Sequence, residues 1–166
     1  MLKVIDNFLS KEECKDIIAS NNSNLKEASH NNIYIRKSLS KLIDLPEIEP
    51  KLLIEAIKLN SNIIFDNKFE FIEYGINDHF AWHDDIIRGK ETREVLTGVI
   101  FLNKDFKGGE LLIKERGNTT AIKSKTGSLC LFSSKFLHKV TKVSEGKRYS
   151  LCCWFYHKQS LSKNLI

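Results

Sequence analysis

The stretch HFAWHDDI, residues 79–86, sets two histidines and two adjacent aspartates within eight positions. Imidazole nitrogens and carboxylate oxygens hold transition metals, and the same groups serve as general acids and bases. Their spacing separates them. His83 and Asp85 stand two apart, so on an extended chain they project from one face while Asp84 projects from the other. Such a His-x-Asp pair can give one nitrogen and one oxygen to a single ion, and it needs a third ligand from elsewhere. Three further histidines lie outside the stretch: His30, His138 and His157. His138 follows SLCLFSSKFL and precedes KVTKV, at the start of one strand just after another. Two histidines and one carboxylate make the facial triad that binds Fe(II) and leaves positions open for a cosubstrate and oxygen. On its own, His-x-Asp also occurs in solvated turns, and that reading stands beside the metal one.

Arg148, ten residues after His138, opens the apolar segment RYSLCCWFY. Period-2 alternation puts Arg148, Ser150, Cys152 and Trp154 on one face, and Tyr149, Leu151, Cys153 and Phe155 on the other. A guanidinium on an inward row needs an anionic partner, because an unpaired buried charge is costly. The fork of a ligand carboxylate would satisfy it. A strand-end arginine in solvent is the alternative.

These residues must be positioned by a frame, and the frame is legible in outline. Leu2 to Ile5 is a short apolar stretch. Ser10 with Glu13 forms a capping box, flanked by Leu9 and Cys14 at staple positions, and predicts a helix over about 11–20. NNSNLKEASHNN reads as a polar loop, IYIRKS as a short strand, and EPKLLIEAIKLN as a helix with Pro50 in its first turn. After residue 62 short apolar runs dominate: KFEFIEYG, VLTGVIFLN, GELLIK, TAIKS, SLCLFSS, KVTKV and RYSLCCWFY, separated by turn signals such as NKDFKGG, ERGN, KTG and SEGK. That pattern predicts a β-sandwich or barrel, buttressed by a helical N-terminal third.

At 166 residues the chain suits one domain with a proper core. No apolar run approaches the length of about 18 residues that spans a membrane, and the N-terminus does not read as a secretory signal. Cys14, Cys130, Cys152 and Cys153 show no CxxC spacing, which favours free buried thiols in a reducing cytoplasm. The net charge of +5 is spread over scattered lysines with no basic–aromatic cluster, so nucleic acid is not an expected partner. Oligomeric state leaves no mark in the sequence.

The segments YGINDHFAWHDD, TGVIFLN, GGELLI and HKVTKVSEGKRYSLCCWF, with the opening VIDNFLSKEEC, resemble the Fe(II)/2-oxoglutarate dioxygenases, in particular the prolyl 4-hydroxylase-like branch. The resemblance runs from about residue 3 to 157. It implies an α+β chain, mainly β with N-terminal helices, around a double-stranded β-helix (jelly-roll, cupin-like) core. A single domain would cover residues 1–166, with the helical buttress over about 1–62 and the core over about 63–157. His83, Asp85 and His138 would be the iron ligands and the catalytic centre, and Arg148 would bind the distal carboxylate of 2-oxoglutarate. Tyr74 matches a tyrosine that lines the cosubstrate pocket. Thr97 matches a threonine on the facing strand, and Leu111 and Trp154 match apolar pocket walls.

The implied cofactors are Fe(II), 2-oxoglutarate and O2, with ascorbate as a candidate reductant. The implied reaction hydroxylates an unactivated C–H with release of succinate and CO2; the carboxylate of Asp85 argues against halogenation. A prolyl residue in a peptide or protein is the first expectation for substrate. A free amino acid or other small molecule is the alternative, and a non-catalytic metal- or 2-oxoglutarate-binding module the remote one. Trp154 stands where the nucleic-acid demethylases carry a second arginine. Arg93 resembles a substrate-facing arginine, and residues 86–94 read as a lid or a solvated connection. Phe101 departs from relatives with a tyrosine there, leaving Ser150 or Thr97 to assist Arg148. Alternation also points Cys152 into the pocket, an oxidation risk. Asp84 should face solvent or a backbone amide and His79 should lie at the rim, while Phe80 and Trp82 flank the site.

Overall fold

The computed structural model describes residues 1–28, 35–86, 94–123 and 125–158. The chain starts with β1 (Leu2–Ile5) and α1 (Lys11–Asn21), followed by three short strands, β2 (Lys26–Glu27), β3 (Arg36–Lys37) and β4 (Leu39–Ile43). Helix α2 (Glu49–Ile57) leads to β5 (Ile63–Phe65), β6 (Phe69–Tyr74) and β7 (His79–His83). Then come β8 (Glu94–Phe101), β9 (Lys107–Gly108), β10 (Leu111–Glu115) and β11 (Asn118–Ala121). The last four are β12 (Leu129–Ser133), β13 (Leu137–Val140), β14 (Val143–Glu145) and β15 (Arg148–His157).

Two antiparallel sheets face each other. The major sheet has the order β1-β12-β8-β15-β6-β4-β2, with β5 also paired to β15. The minor sheet has the order β11-β10-β13-β7-β3, and β14 pairs with β9. One core layer lies between helices and major sheet, where Cys14 and Ile17 of α1 and Leu52 and Ala56 of α2 cluster with Phe71, Ile100, Leu151, Cys153 and Phe155. A second layer lies between the sheets and contains Ile72, Tyr74, Val99, Leu111, Phe132 and Val140. Strand β15 divides the two layers by alternation, as the period of two requires.

Helix α1 begins where the capping box places it. Ser10 Oγ accepts from Glu13 N at 3.1 Å, and Glu13 Oε2 accepts from Ser10 N at 2.6 Å. Leu9 and Cys14 are both buried beside it. Helix α2 stops at Ile57, three residues short of the expected end, because Leu59 N turns back to Ala56 O and tightens the last turn. The N-terminal third is not only helical. It also supplies β1, β2 and β4 to the major sheet and β3, inside the strand expected for IYIRKS, to the minor one. KVTKV is likewise divided between β13 and β14, since Thr141 N and Lys142 O bond to Glu110 O and Gly109 N instead of continuing the ladder. Ile33 and Tyr34 of IYIRKS, residues 87–93 of the expected lid with Arg93, and His30 lie outside the described residues.

Gly98 on β8 faces Cys153 on β15, and a Cβ at that position would lie 2.6 Å from Cys153 Sγ. Only glycine lets these two central strands carry Cys153 at their contact. Gly98→Ala is expected to destabilise the protein by about 1–3 kcal/mol. Adding Cys153→Ala should recover much of that loss, measured as the shift of the urea unfolding midpoint.

Candidate active site

His83 ends β7 and is the cross-strand partner of His138 on β13. Both rings are pinned through Nδ1, at 2.7 Å from Ala81 O for His83 and 3.0 Å from Phe136 O for His138. A carbonyl can only accept, so each Nδ1 carries the proton and each Nε2 keeps a lone pair. Asp85 lies just past the strand end, and its N donates to Ser134 O at 3.0 Å. Its Oδ1 is 3.6 Å from His83 Nε2, and its Oδ2 is 3.5 Å from His138 Nε2. One donor atom from each of the three lies within 4.8 Å of the others, close enough to hold one metal ion. A two-histidine, one-carboxylate facial triad is therefore in place.

The carboxylate is oriented from behind. Thr97 Oγ1 donates to Asp85 Oδ2 at 2.6 Å, and Trp154 Nε1 donates to the same oxygen at 3.1 Å. Thr97 is fully buried and also meets Ser134 Oγ at 3.0 Å, so it holds Asp85 and does not line the cavity. That differs from the sequence expectation, which put Thr97 against the cosubstrate. Metal ligands held by such outer hydrogen bonds bind more tightly because the bonds fix their geometry.

The triad shares a cavity with Arg148, Tyr74, Leu111 and Trp154. Arg148, 1% exposed, donates from Nη1 to Ser150 Oγ at 2.8 Å. Its Nε has no hydrogen-bond partner among the described residues. Cζ stands 5.2 Å from the Tyr74 ring centre and 5.4 Å from that of Phe101. Burial pulls its pKa below the usual arginine value. A dry guanidinium with an unused donor and no ion pair among the described residues is the counterpart of an anionic ligand, so the cavity fits a dicarboxylate cosubstrate. Gly109 makes room for this arrangement: a Cβ there would lie 3.0 Å from Arg148 Cδ. Of the two assistants considered for Arg148, Ser150 is the one that accepts a hydrogen bond from it. Burial pushes the Tyr74 phenol up to about 12, so it stays a neutral donor.

Phe80 flanks the site as expected, while the bulge that places it there and the buried pair of Arg36 and Glu70 escaped the sequence reading. Strand β7 advances three residues from Phe80 to His83 while β13 advances two, from Val140 to His138. This bulge brings Phe80 onto the face of His83, where the rings stack at 3.5 Å between centres. Trp82, expected to flank the site, is instead 40% exposed beneath Lys139. Arg36 and Glu70 form a buried pair at 2.8 Å on the cavity wall, with Arg36 Cζ 4.9 Å from the Phe80 ring centre. Glu70 was findable, because it shares alternation with Ile72 and Tyr74 along β6. Asp84 Oδ1 accepts from Ile86 N at 3.2 Å, as one of its two expected orientations requires. His79 is partly exposed with Nδ1 3.3 Å from Asn77 O.

The sequence profile of the 2OG-Fe(II) oxygenase superfamily matches residues 69–156, which include the whole triad and Arg148. The chain belongs to that superfamily. The chain is 37% identical to a PKHD-type hydroxylase of Shewanella oneidensis over 90 residues, which cover 51% of this chain and 40% of that protein. It is 25% identical to a PKHD-type hydroxylase of Crocosphaera subtropica over 174 aligned positions, covering 94% and 78% of the two chains. The chain thus spans less than half the length of the first of these relatives. In fold it resembles a prolyl hydroxylase from Trichoplax adhaerens solved with a hypoxia inducible factor oxygen degradation domain peptide fragment. The TM-score is 0.77 at 16% identity, covering 99% of this chain and 87% of that one. The chain therefore has the double-stranded β-helix fold that its sequence implied.

Two expectations follow from the site. Thr97→Val should weaken Mn(II) binding, a stand-in for Fe(II), by about 10- to 100-fold in titration calorimetry. Burial and the neighbouring His138 lower the pKa of His83 to about 4. Between that value and the roughly 6.5 of an unfolded histidine, only the unfolded chain binds the proton. The stability from a neutral His83 is thus full above pH 6.5 and is lost as pH falls toward 4. Melting temperature of the metal-free protein should fall over that window, less steeply in His83→Asn.

Proposed function

We propose that this chain is a 2-oxoglutarate- and Fe(II)-dependent hydroxylase acting on a prolyl residue within a peptide or protein. The observation that carries the reading is a single cavity lined by both the triad and the half-satisfied Arg148. His83, Asp85 and His138 would hold the iron. Arg148, backed by Ser150, would take the distal carboxylate of 2-oxoglutarate. Tyr74 donates toward that ligand, while Leu111 and Trp154 supply apolar walls. Bound there, iron and 2-oxoglutarate supply the oxidising power, with O2 consumed, succinate and CO2 released and a hydroxyl left on the substrate. The chain's own work is to orient: Thr97 and Trp154 fix the carboxylate of Asp85, and the Nδ1 bonds fix both imidazoles. The apolar walls keep water from the reacting carbon. Ascorbate would serve to re-reduce iron after unproductive turnover.

The preference for a peptide rests on the approach to the metal pocket. An open groove adjoins it and shares Asp85 and Trp154 with it. Leu42, Ile86 and Tyr156 add apolar surface to that groove, and Asp66 and Asp84 add carboxylates. Such a trough accepts an extended chain, where a free amino acid would need a closed chamber. The peptide bound to the Trichoplax protein is consistent with this reading. One domain over residues 1–166 is supported by the N-terminal strands built into both sheets. The four cysteines are free thiols, which suits a cytoplasmic location. Among the described residues no helix is long and apolar enough to cross a membrane.

Succinate formation from 2-oxoglutarate under air with added Fe(II) tests the activity. Mass spectrometry of proline-containing peptides against free amino acids then tests the substrate. The catalytic reading is wrong if 2-oxoglutarate is never turned over and His83→Ala leaves metal binding unchanged. Arg148→Met should raise the Kd for 2-oxoglutarate by about two orders of magnitude, while Mn(II) affinity stays close to that of the parent protein.

A further inference from the structure

Strand β15 places one reactive side chain between the two halves of the site. Along its cavity face, Ser150 holds Arg148, Trp154 holds Asp85, and Cys152 stands between Ser150 and Trp154. Cys152 lines the same cavity as the triad, and it is partly exposed where Cys153 is fully buried on the opposite face. The thiol thus occupies the floor between the group that would hold the cosubstrate and the group that would hold the iron. It is the one sulfur atom among the described residues lining that space, and burial, which pushes its pKa well up, keeps it a neutral thiol with its lone pairs on sulfur.

We propose that Cys152 accepts the oxygen atom that goes astray when the oxygenase turns over without substrate, switching the enzyme off reversibly. The proposal rests on the 2-oxoglutarate-dependent reading above. In such a turnover one atom of O2 enters succinate as 2-oxoglutarate loses CO2, and the other atom has no substrate to receive it. A lone pair of Cys152 sulfur forms the S–O bond, and the thiol proton moves from sulfur to oxygen. Sulfur is oxidised by two electrons to a sulfenic acid. The balance is Cys–SH, O2 and 2-oxoglutarate giving Cys–SOH, succinate and CO2.

The product persists because no second thiol can reach it. Cys153 points into the helix-side core, and Cys14 lies in that same layer. Cys130 shares the inner face, but the register Cys130–Val99–Cys152 puts a whole strand between them. Two strand spacings are about 10 Å, beyond the roughly 7 Å between Cα atoms that a disulfide can bridge. The added polar oxygen projects into the space beside Arg148 and Asp85, where it obstructs cosubstrate. Ascorbate or a small thiol reduces the sulfenic acid and clears the cavity.

The test loads the full chain with Fe(II) and 2-oxoglutarate without air, then admits isotopically heavy O2 with no substrate and traps sulfenic acid with dimedone. Succinate and the peptide carrying Cys152 and Cys153 are followed together by mass spectrometry. The expected result is one trapped adduct at Cys152, none at Cys153, and one heavy oxygen on Cys152 in untrapped samples. Its rise should match the loss of succinate formation, and a small thiol should reverse both. Cys152→Ala should lack the mark and form several-fold more succinate before stalling. Equal labelling without 2-oxoglutarate, or with Zn(II) in place of Fe(II), would overturn the proposal. So would succinate formation that stalls with Cys152 unmodified, and that outcome leaves the hydroxylase reading standing. If no succinate forms in any arm, the hydroxylase reading fails and the proposal with it.

Discussion

Burial of Arg148 with no carboxylate paired to it among the described residues is the constraint around which the rest of the site is arranged. A guanidinium in a dry interior is tolerated when its donors are used, and the chain itself supplies one hydroxyl and two aromatic faces. Room for its stem comes from Gly109, and its position comes from β15, hydrogen-bonded to β8 on one side and to β6 and β5 on the other. The remaining donor demand is left for a ligand. A cavity formed this way is preorganised for an anion, and the unfavourable desolvation has already been met during folding rather than at binding.

The two sheets divide the labour of the metal site. The minor sheet carries the imidazoles, while the major sheet supplies Thr97 and Trp154, which hold the one carboxylate. Asp85 is thus the point where both sheets meet. The distance between the sheets, set by the inter-sheet core of Ile72, Val99, Leu111, Phe132 and Val140, becomes a determinant of the coordination geometry. Core packing and metal affinity are coupled here through a single side chain.

Much of this was legible in the residues alone. Alternation along RYSLCCWFY separated pocket from core correctly at eight successive positions, because β15 is long, central and free of bulges over that span. Where the ladder is irregular or short, the same rule loses its hold. Phe80 reaches the site through a bulge that alternation does not foresee, and Arg36 reaches it on a strand of two residues. Thr97 was recognised by position but not by role. From sequence, a hydroxyl on the right face cannot be told to bond Asp85 rather than a ligand. The helices were better defined at their starts than at their ends, since Ser10 and Glu13 write a capping box into the chain while nothing comparable marks the end of α2.

The extra residue in β7 has a further meaning. Between Phe80 and His83 the chain runs one step out of phase with its neighbour, and that offset decides which side chains look inward. Removing one residue there would leave composition and hydrophobicity almost untouched while turning Phe80 or His83 away from the cavity. The site is in this sense written in phase, much as a reading frame is. Two sequences equally rich in histidine and aspartate can differ wholly in what they hold, according to whether one strand is a residue longer than the other.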